Sequence, residues 1–206
     1  MTTDKDSNTQ KPSADIPIAN DIVFSTETTD EDMTESIMDK YGARYSKDGR
    51  RLLKGPVHFS HFNVKEGTEV ICNKAFTGCS NLTSINIPLS VTTIGASTFN
   101  IWNGHLEIDS PYFKYDNEAL IDIKKGILVL FRSKADSYTI PSDVRIISTN
   151  AFYGNQTLKS LTIPSSIEFI RANTFDQCQK LELIEIPPNA KVARRAFWDC
   201  RNLKHI

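Results

Sequence analysis

Apolar residues recur along this chain on a fixed ruler. The proline of "IP" marks it at Pro88, Pro111, Pro141, Pro164 and Pro187, with Lys65 of "VK" in the same place one step earlier. The intervals are 23, 23, 30, 23 and 23 residues. Eleven residues after the ruler stands Phe76, Phe99, Phe152 or Phe175, and Phe197 comes at ten. A leucine follows at seventeen as Leu82, Leu158 and Leu181, with Leu203 one early and Leu106 one late. A second aliphatic position, at six, holds Ile71, Ile94, Ile147 and Ile170. A unit this short cannot bury its apolar side alone. Stacked units share one core, so the period predicts a solenoid with one coil per 23 residues. The phenylalanines then form an aromatic ladder.

Within each unit the segment Leu-x-x-Ile-x-Ile alternates apolar and polar positions, which is strand periodicity. Its apolar residues point inward and the x positions outward. The outward set is Ser60, His61 and Asn63; Thr83, Ser84 and Asn86; Leu106, Glu107 and Asp109. It continues as Asp136, Ser137 and Thr139; Lys159, Ser160 and Thr162; Glu182, Leu183 and Glu185; then Lys204 and His205. Seven such strands at ~4.8 Å spacing predict a surface roughly 30 Å long. Glu107, Asp109 and Asp136 are expected on neighbouring strands as an acidic patch. They are read as solvated charge rather than a calcium site, because no EF-hand spacing accompanies them.

The 30-residue interval contains an echo of the start of the array. "ALIDIKKGILVLFRSKADSYTIP" (Ala119 to Pro141) aligns without gaps on "ARYSKDGRRLLKGPVHFSHFNVK" (Ala43 to Lys65), at an offset of 76. Both read as a hairpin turning at Gly49 or Gly126, followed by a strand that enters the next coil. Upstream, Thr29 is a candidate N-cap with Asp32 three residues later. Met33, Ile37, Met38 and Tyr41 share one helical face and Gly42 suits the stop. A short helix over 29–42 is predicted to cover the open end of the first coil. Residues 1–28, rich in Thr, Ser, Asp and Asn, read as disordered or a linker.

The phrase "AF-x-GC-x-x-L-x-x-I-x-IP-x-S-V-x-x-IG" resembles the BspA-type leucine-rich repeat. The opening "YSKDGRRLLKGP", with "VKEGTEVICNKAF" after it, resembles the segment that begins many such arrays. The match runs from about Tyr41 to Ile206. It implies a right-handed, β-rich superhelix with a parallel concave sheet as the usual binding face. It also implies the setting in which such repeats are common, surface proteins of Bacteroidetes and some parasitic protists. The expected partner is then a protein ligand, a host matrix protein or another cell. The expected compartment is the cell surface or secreted if an upstream signal was removed, and otherwise the cytoplasm, where the chain would be a structural scaffold.

Composition adds exclusions. The 39% apolar fraction and formal net charge of −1 give no basis for nucleic acid or an anionic membrane as partner. No stretch approaches the roughly 20 apolar residues of a membrane span. Cys72, Cys79, Cys178 and Cys200 have no zinc-site spacing and read as packed thiols. The histidines, including "HFSH" (His58 to His61), lack a nucleophile elbow or an orienting third group. With no phosphate loop, dinucleotide fingerprint or H-E-x-x-H either, an enzyme is not expected and no cofactor or metal is implied. A carbohydrate binder is disfavoured by the lack of aromatics on the predicted face. "NLT" at Asn81 and "NQT" at Asn155 match the N-glycosylation pattern, but stand on the repeat ruler where Asn and Thr serve turn and strand. The chain stops at Ile206 in mid-repeat, so end-to-end self-association or a further segment is expected there.

Overall fold

The computed structural model describes residues 25–116 and 118–204. The linker expected at 1–28 lies outside them up to residue 24, as does His205 of the last predicted strand. The chain is a β-solenoid. Its elements are α1 (Asp30–Thr34), β1 (Ile37–Met38), β2 (Arg44–Tyr45), β3 (Arg51–Lys54), β4 (His61–Asn63), β5 (Val70–Ile71) and β6 (Ser84–Ile87). Next come β7 (Thr93–Ile94), β8 (His105–Ile108), β9 (Phe113–Tyr115), β10 (Ala119–Asp122), β11 (Ile127–Phe131) and β12 (Ser137–Thr139). The last are β13 (Ile146–Ile147), β14 (Ser160–Thr162), β15 (Phe169–Ile170), β16 (Leu183–Glu185) and β17 (Lys191–Val192).

One side of the solenoid carries the Leu-x-x-Ile strands. They form two parallel ladders, β4-β6-β8 and β12-β14-β16. The other side carries the short strands at the Ile71, Ile94, Ile147 and Ile170 positions. There the sheets run β1-β2-β3-β5-β7 and β9-β10-β11-β13-β15-β17. Each begins with an antiparallel lead-in and continues parallel. The echo at offset 76 is structural as well. The register shifts between Arg44 and Tyr45 in one lead-in, and between Leu120 and Ile121 in the other. A β-bulge has been kept at the same repeat position in both halves.

The ruler positions make the core. Phe76, Phe152 and Phe175 are fully buried, and Phe99 nearly so. Ring contacts run Phe62–Phe76–Phe99–Trp102 in the first half and Phe131–Phe152–Phe175–Phe197 in the second. Among the described residues no aromatic pair joins the two runs. Each coil phenylalanine also sits between two left-handed residues, at minus two and plus two. The pairs are Lys74 and Gly78, Ser97 and Ile101, Asn150 and Gly154, Asn173 and Gln177, Arg195 and Asp199. Two reversals of the backbone tuck the ring inward, and the turns then stack through backbone bonds. Phe76 N donates to Thr98 O, Phe152 N to Thr174 O, and Phe175 N to Ala196 O.

Three expectations need correction. First, α1 is a single turn and does not close the end. Its capping box is as expected, with Thr29 Oγ1 accepting from Asp32 N and Asp32 Oδ2 from Thr29 N. Met33, however, packs on Leu53, Val70 and Cys72, on the outer side of β3 and β5. Ile37 and Met38 leave the helix to pair with β2, whose open edge supplies backbone partners. Gly42, at φ +82°, belongs to the turn between β1 and β2, where Asp39 Oδ1 accepts from Tyr41 N and Ala43 N. Second, Leu106 points inward and is buried, in register with Ile85. The outward residue before Glu107 is His105. Third, among the described residues the expected seven-stranded surface is two ladders of three, with Lys204 joined to the second through its backbone bond to Glu182 O and its side-chain bond to the Glu182 carboxylate.

Candidate functional site

The strand face can now be built row by row. In the first ladder His61, Ser84 and His105 are in register, as are Asn63, Asn86 and Glu107. His61 Nδ1 lies 2.6 Å from Ser84 Oγ, and His105 Nε2 lies 3.1 Å from Glu107 Oε1. Thr83 Oγ1 donates to Ser60 O at 2.8 Å. In the second ladder the rows are Ser137, Ser160 and Leu183, then Thr139, Thr162 and Glu185. Except for half-buried Ser84, Asn86, Ser160 and Glu182, the predicted outward polar residues among those described are exposed.

One row departs from neutral polarity. Asp136, Lys159, Glu182 and Lys204 alternate in sign up the second ladder. Lys159 Nζ lies 3.5 Å from Asp136, and Lys204 Nζ lies 2.6 Å from Glu182. The Lys204 hydrogen bond, foremost, holds the Glu182 carboxyl below the usual carboxylate range. Such exposed pairs add little stability. They do fix a pattern of charge that a partner can match. The expected acidic patch is not assembled. Glu107 belongs to the first ladder beside His105, whereas Asp136 precedes the second and is paired with Lys159. Among the described residues no three His, Cys, Asp or Glu side chains converge as a metal site.

A second feature was not foreseen. The turns carrying the ladder phenylalanines are long: residues 72–83, 95–104, 148–159 and 171–182 connect the two sides of their coils. The coil of β11 and β12 crosses in five residues, 132–136, with no such turn. Meanwhile β9 and β10 widen only the opposite side. The turn at 95–104 therefore faces the turn at 148–159 across a missing neighbour. The space between them is a notch of about 920 Å³, lined among others by Ile101, Trp102, Tyr115, Arg132, Lys134 and Gln156. Its signals were present in the sequence: the 30-residue interval, the late Leu106, and Trp102 where other coils place Cys79, Cys178 and Cys200.

The thiols behave as expected of packed groups. All four cysteines are free. Cys178 Sγ donates to Phe152 O at 3.1 Å, and Cys200 Sγ to Phe175 O at 3.0 Å. The two sequon asparagines bridge coils: Asn81 Nδ2 donates to Val57 O and Asn155 Nδ2 to Ser133 O.

The sequence profile of the BspA type leucine rich repeat region matches this chain in six copies, over residues 50–124 and 129–206. The chain belongs to that family. Comparison with curated protein sequences finds no match. Similar solved structures include a leucine rich cell surface protein from Faecalibacterium prausnitzii, with 19% identity, TM-score 0.52, and coverage of 72% of this chain and 53% of that one. The pneumococcal vaccine antigen PcpA gives 22%, 0.61, 71% and 44% for the same quantities. A leucine-rich repeat protein from Eubacterium ventriosum gives 22%, 0.51, 69% and 53%. At these identities the likeness is one of fold. The chain spans about half the length of each of the three. Repeats of this type are typically non-enzymatic interaction scaffolds, and no enzyme family is matched. Among the described residues, no helix of this BspA-type protein is long and apolar enough to cross a membrane.

Proposed function

We propose that this chain is a non-enzymatic protein-interaction module which binds a protein ligand through its two strand ladders. The setting we propose is a bacterial cell surface, where the module makes adhesive or host contacts. The observation that carries the reading is the pair of regular, outward polar rows built on rigid strands. The Asp136–Lys159–Glu182–Lys204 charge row gives them a specific pattern. Rigid scaffolds with exposed, patterned side chains suit recognition, because little ordering entropy is lost on binding. The solved relative described as a leucine rich cell surface protein supports the compartment.

Two measurements test this. A variant combining Thr83→Ala, Glu107→Ala, Asp136→Ala and Lys159→Ala should keep the fold by circular dichroism and lose binding to immobilised host matrix proteins. Full binding by that variant removes the ladders from the mechanism. Protease shaving of intact source cells should remove the protein. Survival until lysis replaces adhesion with an intracellular scaffold.

A further inference from the structure

The notch between the two halves combines four features that the repeat itself does not require. The first is charge. Arg132 is half-buried and lies over the rings of Trp102 and Tyr115, at 5.2 and 5.5 Å from their centroids. Its guanidinium donates to Gly104 O and to Tyr115 Oη, both neutral. Lys134, two residues on, is exposed. Among the described residues neither cation has an ion pair, and no carboxylate lines the notch. Glu118, which accepts from Ser133 Oγ, is bonded to the lining without being part of it. A partly desolvated guanidinium without a counter-ion favours an incoming anion.

The second feature is strain. Ile101 has φ +58° and is 73% exposed. A β-branched side chain in the left-handed region is an outlier, and it stands at the rim of the notch. The third is a polar lining. Exposed Asn103 and Gln156 line the notch, and Asn150 Nδ2 donates to Ser97 Oγ at 3.0 Å, joining the two turns that face each other. The fourth is the state of the aromatic rings. Trp102 is buried, with Phe99 beside it and Arg132 on its ring, and Arg132 also covers Tyr115. These rings are not free to stack on a sugar.

We propose that this notch is a second binding site, for an acidic peptide segment. Arg132 and Lys134 hold its carboxylates, Ile101 meets an aliphatic side chain, and its backbone groups meet the exposed amides of Asn103 and Gln156. The site meets the first strand ladder at His105 and stands whether or not the ladders bind.

The probe is the blocked peptide Glu-Ile-Glu-Ile-Glu, compared with Gln-Ile-Gln-Ile-Gln. Binding is read from Trp102 fluorescence in a Trp198→Phe background, and by calorimetry. We expect the Glu peptide to bind at least ~10-fold more tightly, with affinity falling as salt rises. Lys134→Glu, on an exposed residue, should cut that affinity by ~10-fold or more while leaving the melting temperature in place. The fourfold ladder variant, in which Glu107→Ala frees notch-lining His105 from its carboxylate partner, should bind the peptide at least as tightly as the parent, so failure of the ladders and failure of the notch read out separately. Equal affinity for the two peptides, no binding of either at millimolar concentration, or indifference to Lys134→Glu overturns the proposal. A heparin octasaccharide that binds through Lys134 while the Glu peptide does not also overturns it, in favour of an anionic glycan.

Discussion

The Sγ of Cys178 lies 3.1 Å from the carbonyl oxygen of Phe152, one coil away. That contact ties the thiol ladder to the aromatic ladder inside the core, and the burial has a pH consequence. Burial first, then the neighbouring Cys200 and Asp176, pushes the Cys178 thiol up to about 12 from 9.0. Burial likewise pushes Cys200 up to about 11 and Tyr45 and Tyr138 to about 12. Each folded group holds its proton more tightly than the unfolded one. The associated stability is therefore present below pH 9 and lost as pH rises from about 9 to 12. The melting temperature should fall across that window, and the fall should be shallower in Cys178→Ala. An unchanged slope in that variant would mean the thiol does not contribute.

Ile101 should be replaceable with a gain. The left-handed region costs a non-glycine residue about 1–2 kcal/mol, and this side chain is too exposed to recover that by packing. Ile101→Gly is expected to raise unfolding free energy in urea by up to about 1 kcal/mol, since glycine's extra unfolded-state entropy takes back part of the gain. The same variant should bind the Glu peptide more weakly, which would show strain retained for recognition.

The aromatic ladder should grade in importance from its middle to its end. Phe152 is fully buried between Phe131 and Phe175, at 4.6 and 4.9 Å. Phe197 is only partly buried and has one stacked neighbour, Phe175. Phe152→Ala is expected to cost about 3–5 kcal/mol. Phe197→Ala should cost clearly less, and chemical denaturation of the two variants side by side checks the order.

Gly95 is required by its neighbour. A Cβ there would stand 2.6 Å from the backbone N of Asn73 and 2.9 Å from the carbonyl carbon of Cys72. Asn73 cannot move away freely, because its Oδ1 accepts from Ala96 N at 2.8 Å. Gly95→Ala should destabilise by about 1–3 kcal/mol, and amide exchange should quicken first in β5 and β7.

Much of this was legible in the residues. Phe76, Phe99, Phe152 and Phe175 announced the core, because a 23-residue period has only one way to bring them together. Thr83 and Lys159 were placed outward correctly, because strand alternation leaves two faces. Leu106 was misplaced outward by the extra residue after Phe99, which moves the strand by one and so reverses the face. The helix over 29–42 was overextended because Ile37 and Met38 fit either a helical stripe or an edge strand. The open edge of β2 decided between them, and that edge exists only once β2 is folded.

By itself the sequence determined the coil, its core and its outward rows, since these follow from side-chain periodicity within a single unit. It also contained the second array start, written as the echo at Ala119. Only the tertiary structure decided what that echo does. Two strands, β9 and β10, enter one side of the solenoid, and the turn that would match them on the other side is missing. The resulting notch depends on how unequal numbers of strands stack across coils far apart in the chain, which no local pattern encodes.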